Sequence, residues 1–495
     1  MKRYLIGGIL GAVVIAGSAG HPLAAPFVSG STGADGAFAP QASTQVQLPD
    51  NGVFNFTTVN VPTGVTVTFK KNAINTPVTI LATGDVIING TVDVSGTDGA
   101  SVVDSVSADD TLPGVGGPGG ATGGFGASKT APGTSGGGGL GPGGGKPGPG
   151  YFTGSVTVPM SGGGGGFGAD GTDATGTTGF KGVAYGAASL LPLIGGSGGG
   201  GGASTGTYNG SGGGGGSGAI LIASPGSIQL AGAIKANGGR AGASYIGSCS
   251  TIGGGGGGGG SGGGIRLIAN AITGSGSLSA TGGAAQSVVY INASGACAIG
   301  GLSGKGGDGR IRVEASTISL TGTASPAVTA SFAPGQISVP GLPTLAIASV
   351  GGVTAPTAPT GTSDVALPFN MTNPVDVVLS ATGIPVGTVV TVTVTPASGA
   401  VSSANSVPLS GTTASSSATA SITLGGGHSV VAAAATFTVT QAAALGINPP
   451  EYLAGEPVEF IRLAATHGGG SMWSYVTKSG KEVPIHPAYP VKSRL

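Results

Sequence analysis

The chain has 495 residues, 107 of them glycine and 32 proline, and its 18 Lys+Arg balance its 18 Asp+Glu to a formal net charge of zero. With only 7% charged residues it lacks the basic patch that phosphate binding requires, which excludes nucleic acid as a partner. Glycine and proline at this level without order would mean a low-complexity coil. The mean hydropathy is positive, however, at +0.35, and the glycine recurs in step with short β-patterned segments, as in a repeat architecture.

Residues 1–25 read as a secretory signal: Lys2 and Arg3 open it, Tyr4 to Ala19 is apolar, and small residues suited to cleavage follow. The apolar stretch falls short of the roughly 20 strongly apolar residues of a membrane span, and no later stretch could cross a bilayer as a helix. The chain is therefore expected to be exported, to the outer cell surface or the medium, with no membrane span once mature.

Residues 26–350 form the expected repeat domain. Val59 to Phe69 and Ile80 to Val94 alternate apolar and polar with period two, as half-buried strands do. The Thr-Gly pairs at 63–64 and 83–84 stand 20 residues apart, close to one turn of a parallel β-helix. Asn89-Gly90 and Asn237-Gly238 suit corners, since both residue types accept positive φ. From about 101 to 217 glycine blocks take over. Such runs make poor α-helices but can extend like polyproline II, leaving every N–H and C=O to find a partner on a neighbouring rod. Segments beginning at Ile220, Ile265 and Ile311 start alike, 45 and then 46 residues apart, so that each is two short turns or one turn with a glycine excursion. Cys249 and Cys297, each just before Ile-Gly-Gly, would lie on neighbouring layers and form a disulfide in an exported chain. Residues 325–350 look like a terminal coil.

Residues 351–362 read as a Pro/Thr linker, and 363–445, with several short strand runs between turns, as an immunoglobulin-like β-sandwich without cysteines. Residues 446–495, richer in charge and holding the only tryptophan, read as a small C-terminal module with a hairpin turning at Ser479-Gly480 and a third strand at Val458–Leu463. The expected fold class is thus all-β: a right-handed parallel β-helix with packed polyglycine-II-like loops, then a sandwich, then a small β module.

The glycine blocks between Ile-x-Leu-x-Ala segments resemble, over about 45–350, exported bacterial glycine-rich β-helix proteins of adhesin type. Over about 113–310 the blocks alone resemble the polyglycine-II bundles of snow-flea antifreeze proteins and phage tail-tip adhesins, though without a strict every-third-residue glycine. The resemblance implies a structural, adhesive or surface-binding role and supplies no active-site residue.

Candidates for chemistry are few. His428, His467 and His486 show no metal-ligand spacing. Gly165 to Asp170 fits the opening of a calcium-binding nonapeptide, which makes Asp170 a weak calcium candidate, but Thr172 stands where a large apolar residue belongs. The sister segment Gly123 to Ser128 has serine in place of the ligand. Asp85, Asp93, Asp98, Asp104, Asp109 and Asp110 form a looser acidic group of the kind that β-helix polysaccharide lyases use. Arg266 and Arg312 hold matching repeat positions, a column that could grip acidic polysaccharide or, on an outward face, pair with Glu314. The expectation is a non-catalytic rod with no cofactor, binding surface polysaccharide or copies of itself. A carbohydrate-binding or polysaccharide-degrading protein is the alternative, and an ice-binding protein a minor one.

Overall fold

The computed structural model describes residues 27–103, 111–129, 134–150, 161–205, 208–245, 254–291, 297–335, 337, 343–356, 359, 364–368, 370–396, 400–438, 452–453, 456–466 and 470–484. Among them the chain is all-β, with parallel and antiparallel sheets and no α-helix. The expected signal, at 1–25, lies outside the described residues.

The N-terminal part is a stack. Strands Val53–Phe56, Val78–Ala82, Ala219–Leu230, Gly264–Gly274, Arg310–Leu320 and Val328–Ser331 pair in parallel in that order. A second parallel sheet takes Thr44–Gln47, Thr66–Lys70, Thr91–Asp93, Ala233–Lys235, Ser277–Ser279 and Ala324–Ser325. Successive side chains of a strand point to opposite faces. Ile220, Ile222, Ile265, Leu267, Ile311 and Val313 from the first sheet therefore meet Val67, Val92, Ile234 and Leu278 from the second in one core.

Register shows what the repeat spacing means. Ile220, Ile265 and Ile311 are direct ladder partners, so each interval of 45 or 46 residues is one pass with a glycine excursion, not two short turns. In the first passes Val53 faces Thr79 and Thr66 faces Thr91, so one pass there is longer than the 20 residues that the Thr-Gly pairs suggested. The two pairs occupy different corners. Gly84 donates to the carbonyl of Thr57, while Gly64 turns the chain between Val59–Val61 and Thr66–Lys70 with φ at +82°. The Asn-Gly corners differ from expectation as well. Neither Gly90 nor Gly238 has positive φ; each is needed because a Cβ would overlap a neighbouring carbonyl, that of Pro62 or of Gly260. Val78 faces Ile220, Val86 faces Ile228, Thr91 faces Ala233 and Val102 faces Ser244, one constant offset. The glycine-rich chain between therefore leaves the stack and returns one layer on.

That excursion forms a bundle in which hydrogen-bond partners change with a period of three. Along 212–218, Gly212, Gly215 and Gly218 donate to Ala100, Thr97 and Val94. Gly213 and Gly216 donate to Gly124 and Ala121, and Gly214 and Ser217 to Gly258 and Ser261. The same segment accepts from three further neighbours: Gly114 and Gly117, Gly196 and Gly199, and Gly239 and Gly242. A backbone that turns once every three residues presents its amides in three directions, and this is the pattern it makes. Segments 196–203 and 255–263 repeat it. Side chains are excluded because the space is already occupied: a Cβ on Gly213, Gly214, Gly215 or Gly216 would overlap a carbonyl oxygen of the next segment.

The C-terminal part is two antiparallel sheets around a second core. One contains Thr344–Val350, Val375–Thr382 and Ser415–Ile422; the other contains Val390–Pro396, Ser429–Thr438, Glu456–Thr466, Gly470–Thr477 and Glu482–Pro484. The hairpin at Ser479-Gly480 and its third strand stand as expected, with Gly480 at φ +82°. Two boundaries move. Thr344–Val350 belongs to this unit and not to a terminal coil of the stack, because Leu345 and Ile347 fill its core. The last strands extend the same sheet instead of making a separate module, with Val458, Ile461, Leu463 and Tyr475 packed among Val377, Val392 and Phe437. The charge that set this stretch apart sits on its outward positions, such as Glu459, Lys478 and Lys481.

Candidate functional site

A cleft of about 590 Å³ opens where the glycine bundle meets the antiparallel unit. Thr122, Phe125 and Leu140 of the bundle line one wall; Val365, Leu367, Met371, Leu424 and Val431 line the other. Across it the Phe125 ring stacks on the His428 imidazole, with centroids 5.9 Å apart and planes at 17°. His428 is presented by the turn Gly425–Gly427, and Asn373 fixes that turn. Its side-chain amide donates to the Leu424 carbonyl and its oxygen accepts from the Leu424 N–H, both at 3.0 Å. Asp364 also lines the cleft and acts electrostatically on Lys71, a lysine only 5% exposed. Burial drives the Lys71 ammonium down to about 7, and the Asp364 carboxylate opposes the shift. Apolar walls with one carboxylate, one amide and one imidazole suit the binding of a small amphipathic molecule.

Sequence reasoning passed over this site. The clue was present in the twin segments Gly123 to Ser128 and Gly165 to Asp170, each with one phenylalanine set in glycine. Read for calcium, the segments draw attention to position 170, whereas the structure makes use of the rings. Phe125 meets His428, and Phe167, fully buried, packs edge-on against Tyr185 at 5.0 Å and beneath Arg310 at 5.8 Å. Tyr185 donates from its hydroxyl to the Gly195 carbonyl at 2.7 Å and accepts from Ser197, and burial raises its pKa.

The sequence-derived candidates are dispersed. The Asp170 carboxylate is engaged by Lys181 at 2.9 Å and by the Ala184 N–H at 2.8 Å, and its hydrogen bond to Lys181 holds its pKa below the usual carboxylate range. Of the acidic group, Asp85 accepts from the N–H and hydroxyl of Ser227, Asp93 from the Ser95 N–H, and Asp98 from the Arg240 N–H. Each ties one layer to the next or closes a turn, and none converges on another; Asp104, Asp109 and Asp110 lie outside the described residues. Among the described residues no three His, Cys, Asp or Glu come together as a metal site. Cys249, His467 and His486 also lie outside the described residues, as does the side chain of Cys297. Arg266 and Arg312 are ladder partners as their repeat positions implied. Arg266 is nevertheless 1% exposed and paired with Glu314, which withdraws it from any polysaccharide surface. Among the described residues no helix is long and apolar enough to cross a membrane. Comparison of the chain with known protein families, with curated proteins and with solved structures finds no match.

Proposed function

We propose that this chain is an exported, non-catalytic scaffold of adhesive type, working at the outer cell surface or in the medium as a stiff, weakly charged body. In this reading the stacked passes close into a right-handed parallel β-helix, the glycine segments are a polyglycine-II bundle laid along it, and the antiparallel unit is an immunoglobulin-like sandwich. The observation that carries it is the bundle itself, whose central segments give and receive backbone hydrogen bonds in three directions each. Ordering glycine costs more backbone entropy than ordering any other residue. A chain that accepts this cost over so many positions gains rigidity, and little of its surface is left for catalytic side chains. Hydrogen–deuterium exchange on the full chain tests the reading: the amides of 196–203, 212–218 and 255–263 should be protected as well as those of the β-strands. Exchange there at the rate of an open coil would end it.

A second reading, carbohydrate binding, is favoured by one feature, the cleft with its Phe125–His428 stack. A glycan array probed with the full chain and with His428→Ala separates the two. Binding lost in the variant would move the function to the cleft; no binding by either leaves the scaffold.

A further inference from the structure

The outer face of the larger parallel sheet gathers more positive charge than its carboxylate matches. Arg310, Arg312 and Glu314 take alternate positions of one strand, while Ile311 and Val313 between them enter the shared core. Arg266 stands across the ladder from Arg312. Nε of Arg266 and Nε of Arg312 both donate to Oε1 of Glu314, at 2.8 and 2.6 Å, so one carboxylate serves two guanidinium groups. Arg310 donates to the carbonyl of Tyr185 at 3.2 Å and, among the described residues, has no acidic partner. Two guanidinium nitrogens here, Nη1 of Arg266 and Nε of Arg310, are shut off from solvent without any hydrogen-bond partner. A guanidinium group cannot relieve this by losing its proton, and a buried unmatched charge is expensive. Orphaned donors of this kind mark an ion or water that completes the site.

We propose that a single inorganic anion of halide size sits at Nη1 of Arg266, drawn there by the excess charge of Arg310 and Arg312. Its size follows from what surrounds it. Ile268 stands beside Arg266 on the same face, in an apolar cluster with Leu193 and Ile337, and the backbone at Gly335 lies against Glu314 and the Arg266 guanidinium. A sugar carboxylate on a polymer cannot enter there, whereas a monatomic ion can be enclosed as the chain folds. The anion would offset one of the two positive charges that Glu314 leaves unmatched and hold Gly335 against the sheet.

Crystals of the full chain in sodium bromide should show an anomalous peak within hydrogen-bonding distance of Nη1 of Arg266. In solution, bromide or chloride should raise the melting temperature along a saturable curve that gluconate at matched ionic strength does not reproduce. Arg266→Met should abolish the halide-specific rise. Should that variant fail to fold, Arg310→Met, altering a half-buried residue, should weaken the halide midpoint by about tenfold through loss of one attracting charge. A bromide crystal with only water at Arg266, or halide and gluconate curves that coincide, overturns the proposal.

Discussion

At the scale of the residue, the glycines divide sharply by what surrounds them. Gly215 faces the Val115 carbonyl across a gap that holds no Cβ, and its neighbour is rigid backbone. Gly215→Ala should therefore cost about 3 kcal/mol in a urea melt, from overpacking and lost backbone hydrogen bonds. Gly426, in the exposed turn before His428, has nothing within 4 Å of a Cβ and no positive φ, so Gly426→Ala should stay within about 0.5 kcal/mol of the parent. Lys71 makes a different kind of test. Its ordinary value is 10.5 and its folded value about 7, so between these limits the unfolded chain holds a proton that the folded chain has released. Stability is then greatest above 10.5 and is lost as pH falls toward 7, with a slope of up to about 1.4 kcal/mol per pH unit. Lys71→Met should flatten that slope in melts taken from pH 7 to 10; an unchanged slope would mean that other groups set it.

At the scale of the element, strands and glycine segments are held in register by different means. Strands are aligned by alternate apolar residues, whose slip by one position would turn Ile265 and Leu267 out of the core. The long return between layers is aligned by polar clasps: Asp85 to Ser227, Ser95 to Asn237, Asp98 to Arg240 and Ser101 to Ala243. Two carboxylates of the acidic group, Asp85 and Asp98, are thus parts of a seam. Asp85→Ala should lower stability by about 1 kcal/mol, through the solvent-exposed hydrogen bonds to Ser227 that it removes, while a chelator should leave the melting temperature of the parent chain unchanged. A chelator-induced loss would restore the calcium reading. The three central glycine segments contain no proline, which would delete a donor that each of them uses; Pro142, Pro147 and Pro149 lie in segment 134–150, outside those three.

At the scale of the whole molecule, two large cores share one chain among the described residues, beside two small apolar clusters. The first lies between the parallel sheets and the second between the antiparallel ones, and no hydrophobic residue belongs to both. Among the described residues, contact between the two parts includes the cleft, the Phe125–His428 stack and the Asp364–Lys71 interaction. Leu463→Ala should cost about 3 kcal/mol in the antiparallel unit and leave amide protection in the glycine bundle untouched. Protection lost in both would show that the two parts fold as one.

Much of this was legible in the sequence, and the reason is periodicity. Alternation at Val59 to Phe69, the recurrence at 220, 265 and 311, and the hairpin at Ser479-Gly480 are local signals: strands stand at each, although a corner at Gly64 divides the first run between two sheets. Local signals do not say how far a sheet extends, so the neighbours of Thr344–Val350 and of the last three strands are set only by the second core, which their apolar residues fill. Nor does spacing reveal enclosure. Arg266 and Arg312 recur as a column would, yet only the loops folded across the sheet decide that one of them is buried, because burial depends on chain distant in sequence. The same holds for the cleft: Phe125 and His428 are some 300 residues apart, and their meeting is a property of packing that no run of residues carries by itself.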